Sequence, residues 1–240
     1  MACFVLVSGA WHGAWCWEYV IPLLEARGHQ AVAAELPGMG ADRTPLAEVD
    51  FAAWARTVAG VVEAAGEPVI LVGHSRGGVV ISQTAELVPG CIKLSVYLTA
   101  ILMRDGESAI DSSGLVPAET LRERSYELTE DGLAFKVLPE LALSYGNSPP
   151  ELVERALAQM TPEPTFALAT PLKLTAERYG SVRRAYIECL QDETVTPALQ
   201  KAMQAREPCQ YVRAIETDHC PAYSAPDKVA AVLDELSGLI

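Results

Sequence analysis

The sequence predicts an α/β fold, a mostly parallel, doubly wound sheet interrupted by an inserted helical cap. Three observations carry that prediction. Short apolar runs alternate with longer helical patterns through the first hundred residues, as parallel strands joined by crossover helices do. From Asp105 to about Gly180 the strand runs disappear, and Pro117, Pro139, Pro149, Pro150, Pro162, Pro164 and Pro171 punctuate short helical pieces. The alternation then resumes. At 240 residues the chain is large for one compact unit and small for two. A core of residues 1–104 and 181–240, split by a cap of residues 105–180, satisfies that length.

The elements are expected in the following order. Phe4 to Ser8 is the first strand. Trp15 to Arg27 reads as a helix stopped by Gly28, and Gln30 to Glu35 as the next strand before the Pro37-Gly38 turn. Asp50 caps a long helix in which Phe51, Trp54, Val58, Val61 and Val62 recur at three-and-four spacing, ending near Gly66. Pro68 to Gly73 is a continuous apolar run of the kind buried on both faces of a sheet. A helix beginning just after Ser75 leads to a second such run, Leu94 to Leu102. Beyond the cap, Arg184 to Leu190 and Gln210 to Ile215 read as strands, with helices from Pro197 to Ala205 and from Pro226 to Leu239.

Composition narrows the function. Half the residues are hydrophobic and a fifth charged, a balance that excludes disorder and low-complexity character. Lys+Arg 18 against Asp+Glu 31 gives a formal net charge of -13, which argues against nucleic-acid partners, whose binding rests on neutralised phosphates, and against anionic membrane surfaces. The six cysteines, Cys3, Cys16, Cys91, Cys189, Cys209 and Cys220, form no CxxC pair, so neither a zinc site nor a redox pair is expected. The apolar N-terminus has no basic residue before Arg27 and lacks the charged start of a secretory signal. No apolar stretch approaches the roughly twenty residues of a membrane span. A cytoplasmic protein is expected.

The chemistry is carried by Gly73-His74-Ser75-Arg76-Gly77-Gly78, placed where a buried strand meets a helix. That context makes G-x-S-x-G a nucleophile elbow: the tight turn strains the serine backbone, and glycines let strand and helix approach closely. Ser75 then needs a histidine base and an orienting carboxylate, in chain order serine, acid, histidine. Of the four histidines, His29 is expected in an exposed turn, His74 points away from Ser75, and His12 falls in the loop after the first strand, suited to shaping an oxyanion pocket. His219, four residues past the last strand, is the expected base. Asp192, following the strand that ends near Leu190, is the expected acid, with Asp105 after an earlier strand as its competitor. Asp218 is a poor orienter because adjacent side chains diverge, and Glu193 is expected to be solvated. The oxyanion hole should use the backbone N–H of Arg76 and, from the small-residue loop Ser8-Gly9-Ala10-Trp11-His12-Gly13, that of Ala10.

Together with Val7-Ser8-Gly9-Ala10-Trp11-His12-Gly13-Ala14-Trp15, Tyr97-Leu98-Thr99-Ala100, Asp105-Gly106-Glu107-Ser108 and the run Arg178 to Ile187, these motifs resemble the α/β-hydrolase fold. Within it they resemble the plant methylesterase and hydroxynitrile lyase group and its bacterial carboxylesterase relatives. The resemblance implies Ser75, Asp192 and His219 as a triad under a cap, acting on a small-molecule ester without cofactor or metal. Hydroxynitrile lyases of the group carry a lysine directly after the histidine and a threonine in the oxyanion loop. Cys220 and Ala10 stand in those places here, favouring ester hydrolysis over cyanohydrin cleavage. Ser8-Gly9, where relatives often have His-Gly, and Glu35, where many have Asp, bear on pocket shape. The cap residues Leu133, Phe135, Leu138, Tyr145, Met160, Phe166 and Leu168 suggest an apolar or aromatic substrate, and apolar surface on the cap side could support a homodimer. Two other activities fit the resemblance, a lyase and a ligand receptor built on a hydrolase fold.

Overall fold

A computed structural model describes residues 1–121 and 126–240; positions 122–125, which fall in the expected cap, lie outside the described residues. Among the described residues there are eight strands: β1 (Cys3–Val7), β2 (Gln30–Ala34), β3 (Val69–His74), β4 (Ile92–Leu98), β5 (Ala134–Phe135), β6 (Glu163–Pro164), β7 (Arg184–Cys189) and β8 (Tyr211–Ile215). Six of them form one sheet in the order β2-β1-β3-β4-β7-β8, with every pair parallel. The α-helices are α1 (Ile21–Glu25), α2 (Phe51–Ala64), α3 (Gly77–Leu87), α4 (Pro150–Gln159), α5 (Thr165–Ala169), α6 (Pro197–Arg206), α7 (Pro221–Ser224) and α8 (Pro226–Ser237).

The pleat divides the core into two layers. Val5 and Val7 of β1 and Val69 and Leu71 of β3 face Trp54, Val58, Val80, Leu199 and Met203 of α2, α3 and α6. Phe4, Leu6, Ile70 and Val72, one residue out of step, face Leu24 of α1 and Val229, Leu233 and Leu236 of α8. Strands apolar on both faces and covered on both sides are what a parallel sheet requires, since its crossover helices occupy both faces. Asp50 caps α2 as expected, its carboxylate accepting from the Ala53 amide at 2.6 Å, a contact contributing about 1 kcal/mol.

Two expectations fail. The single helix from Trp15 to Arg27 is broken: a 3-10 turn covers Ala14–Trp17 and α1 begins only at Ile21. Pro22 is the reason, because it has no N–H to continue a preceding helix and sits comfortably only in a first turn. Gly28 does end the segment, at φ +83°. Between β4 and β7, where no strand run is expected, β5 and β6 pair antiparallel, Ala134 opposite Pro164 and Phe135 opposite Glu163. A two-residue pairing flanked by proline leaves no alternation to read.

Parallel strands carry their carboxyl ends to one edge of the sheet. The chain runs from β1 outward to β2, then returns past β1 to β3, so the order reverses between β1 and β3. A crevice opens at such a reversal, and the loops after β1 and β3 meet there.

Candidate active site

The elbow between β3 and α3 puts Ser75 at φ 53°, in the left-handed region where a residue with a Cβ is strained by about 1–3 kcal/mol. The surroundings hold it there. The Ser75 carbonyl accepts from the amides of Gly78 at 3.0 Å and Ile101 at 2.9 Å, and its own amide donates to the Leu98 carbonyl at 3.3 Å. A Cβ at Gly73 would lie 2.7 Å from the Gly77 carbonyl oxygen, one at Gly77 would lie 2.8 Å from that of Ser8, and one at Gly78 would overlap that of Ile101. Strand, helix and the next strand's exit therefore touch backbone to backbone around the serine.

The loops after β7 and β8 bring two groups to it. His219 Nε2 lies 2.9 Å from Ser75 Oγ, and His219 Nδ1 lies 2.7 Å from Asp192 Oδ2. With Nδ1–H donating to the carboxylate, Nε2 is left as the acceptor facing the hydroxyl. Asp192 is buried and held from all sides: Oδ1 accepts from the amides of Thr194 at 2.6 Å and Val195 at 2.9 Å, and Oδ2 also accepts from the Thr99 hydroxyl. Thr99 reaches it from a left-handed position, φ 38°, just past β4. Asp105 is elsewhere, accepting from the Leu174 amide, and Glu193 is exposed. Asp218 turns away from its neighbour and organises the loop, accepting from the Asn147 amide at 2.7 Å and the Ser224 hydroxyl at 2.6 Å.

The remaining histidines are placed as follows. His74 points away from Ser75, and its Nε2 donates to the His219 carbonyl at 2.6 Å, supporting the loop from below. His12 donates from Nδ1 to the Ala10 carbonyl and accepts at Nε2 from the Tyr145 hydroxyl. Burial, with His219 and Arg76 nearby, pushes its pKa down to about 4, so it is neutral at pH 7. His29 corrects an expectation: it is buried rather than an exposed turn residue. Its Nδ1 accepts from the Ala2 amide at 3.2 Å and its Nε2 donates to Asp234 at 2.8 Å, so the start of β1 is fastened to α8 through it.

Ala10, Trp11, His12, Ser75 and His219 line a cleft with Leu141, Ser144, Met160 and Thr194. About 340 Å³ of space, part of it open to solvent, lies between these residues. Among the seven apolar residues expected over the substrate, Met160 alone belongs to this lining. Phe166 packs edge-on against Trp54, 5.1 Å between ring centroids, and Leu168 packs against the core. Trp11 and Leu141 carry the apolar contact instead. Arg76 is buried, and so is Glu163; they form an ion pair at 2.8 Å that local sequence could not disclose, since the partners come from α3's start and from β6.

The profile of the Alpha/beta hydrolase family matches residues 4–232. The chain belongs to that family. This alpha/beta hydrolase is 34% identical over 247 residues to Methylesterase 1 of Arabidopsis thaliana, covering 95% of this chain and 92% of the relative. It is 32% identical over 256 residues to Methyl jasmonate esterase 1 of Vitis vinifera, covering 97% and 95%. Among solved structures, the alpha/beta hydrolase superposes on polyneuridine aldehyde esterase with a TM-score of 0.87 at 30% identity, covering 99% of each chain.

Proposed function

We propose that this protein is a serine carboxylesterase acting on small to medium esters with an apolar or aromatic acyl group, methyl esters among them. The observation that carries the reading is the unbroken chain of short contacts from Asp192 through His219 to Ser75. Ser75 Oγ attacks the ester carbonyl carbon while His219 Nε2 takes the hydroxyl proton. The backbone N–H groups of Ala10 and Arg76 stabilise the negative oxygen of the tetrahedral intermediate. As the bond to the leaving alcohol's oxygen breaks, His219 returns the proton to that oxygen and an acyl-Ser75 remains. His219 then takes a proton from water, whose oxygen attacks the acyl carbon. The second tetrahedral intermediate collapses by breaking the bond between the acyl carbon and Ser75 Oγ, which takes back the proton from His219, and the carboxylic acid is released. Asp192 keeps the imidazole in the tautomer that each step needs.

Methylesterases among the relatives support the ester class, and the residues between β4 and β7, read as a cap over residues 105–180, supply Leu141, Ser144 and Met160 to the cleft. Cyanohydrin cleavage is disfavoured by Cys220. Its thiol is buried, and burial together with Asp218 and Asp192 pushes its pKa well up, so position 220 holds a neutral thiol and offers departing cyanide no positive charge. The test is a p-nitrophenyl ester panel graded by acyl length, run beside active-site phosphonate labelling. Turnover and a covalent adduct, both lost in Ser75→Ala, are expected. Cyanide release from mandelonitrile with no ester turnover, or the absence of any adduct, would reject the proposal.

A further inference from the structure

A wholly buried ion pair is a poor device for stability, because the water stripped from both charges costs about as much as their attraction returns. The contacts of Arg76 and Glu163 give the pair a different role. Glu163 Oε1 accepts from Arg76 Nε at 2.8 Å, and Oε2 accepts from the Trp11 amide at 2.8 Å. Arg76 Nη2 donates to the Gly9 carbonyl at 2.8 Å, and the Trp54 ring lies against the guanidinium, 4.5 Å from its centroid.

These bonds fall on two consecutive peptides. The Gly9 carbonyl and the Ala10 N–H belong to one peptide unit, and no cis bond occurs among the described residues, so carbonyl and N–H point in opposite directions. A guanidinium holding the carbonyl from the buried side turns the Ala10 N–H away from itself, and Ala10 lines the cleft. The next peptide is held at both ends, its carbonyl by His12 and its N–H, that of Trp11, by Glu163. Trp11 sits at φ 62°, a conformation that needs outside support to persist.

We infer that Arg76 and Glu163 are positioning residues for the oxyanion hole, one buried pair setting both of its backbone donors. Arg76 gives the hole its own N–H and, through its side chain, the direction of the Ala10 N–H. Glu163 fixes the guanidinium and the following peptide. A charged donor on the Gly9 carbonyl also polarises that amide and makes its N–H a stronger donor. Because Glu163 lies on β6, outside the main sheet, the hole is complete only when the segment between β4 and β7 is seated. The inference rests on the acyl-transfer reading of Ser75.

The experiment compares wild type with Glu163→Gln, Arg76→Met and the double variant. It reads kcat and KM on p-nitrophenyl acetate and inhibition by a trifluoromethyl ketone, which captures the serine as a tetrahedral oxyanion. Loss of an oxyanion donor costs on the order of 10²-fold in kcat. Each single variant is therefore expected to lose about that factor, with KM nearly unchanged and ketone inhibition weakened in parallel. The double variant should lose no more than the slower single, because the pair acts as a unit. Folded variants that keep the wild-type kcat, or that lose only thermal stability while ketone inhibition stays constant, would overturn the inference. If Glu163→Gln fails to fold around its orphaned guanidinium, the double variant, which buries no charge, decides by the same readouts. A wild type that neither turns over ester nor takes up phosphonate would overturn the reading of Ser75 itself, a result distinct from an active wild type with unimpaired variants.

Discussion

Asp192 is bound by four donors, and the division between its two oxygens is informative. Two backbone amides occupy Oδ1, while Thr99 and His219 share Oδ2. An amide in place of this carboxylate would present an NH₂ group to donors at one end or the other, and the imidazole would lose its orientation. Asp192→Asn is expected to lower kcat on the order of 10⁴-fold, while Asp105→Asn, whose parent carboxylate caps the Leu174 amide, leaves ester turnover near wild type. Steady-state kinetics of the two variants on one substrate check this. The convergence of Asp192, His219 and Ser75 could be read in the sequence because each follows an apolar run at the same edge of a parallel sheet. Thr99 and Glu163 could not. A hydroxyl one residue past β4, or a carboxylate between two prolines, gains its meaning only from partners brought together by tertiary structure.

Elements were legible to the degree that their patterns were regular. The apolar runs of β3, β4 and β7 and the long amphipathic α2, with Asp50 at its start, stand within a few residues of their expected limits. The break before α1 is hidden from periodicity and shows only in Pro22, and the β5–β6 ribbon is hidden because two residues carry no period. At the elbow the sequence signal was strongest, since glycine there answers a steric demand rather than a preference. Gly78 is the sharpest case: a methyl group on it would meet the Ile101 carbonyl and the Ala100 side chain. Gly78→Ala should force α3 away from the exit of β4, at a cost of about 1–3 kcal/mol as for other overpacked sites. It should also displace Ser75, so that urea midpoint and kcat fall together.

For the molecule as a whole, the neutral buried histidines set a limit in acid. His12 is pushed from an ordinary 6.5 to about 4, and burial with its imidazole neighbours lowers His74 well below the same reference. Unfolded, both take up protons below about 6.5, whereas the folded state excludes them. The folded chain thus binds fewer protons than the unfolded one in that window, and stability must fall as pH drops through it. Each histidine contributes about 1.4 kcal/mol per pH unit between 6.5 and its own folded value. Urea unfolding followed from pH 7 to 4.5 should show this decline, and His74→Gln should make it shallower. Strand order has a separate consequence, for the time course of folding. β3 and β4 are close in sequence and flank the elbow, and β1 joins β3 across the closure from Phe4 to Ile70, but β4 meets β7 only where Ser95 pairs with Arg184, across the longest loop closure in the sheet. Closing so long a loop is entropically slow to be rewarded. Asp192 and His219 both lie beyond it, so in a newly collapsing chain the turn at Ser75 forms before either side chain can be brought to it.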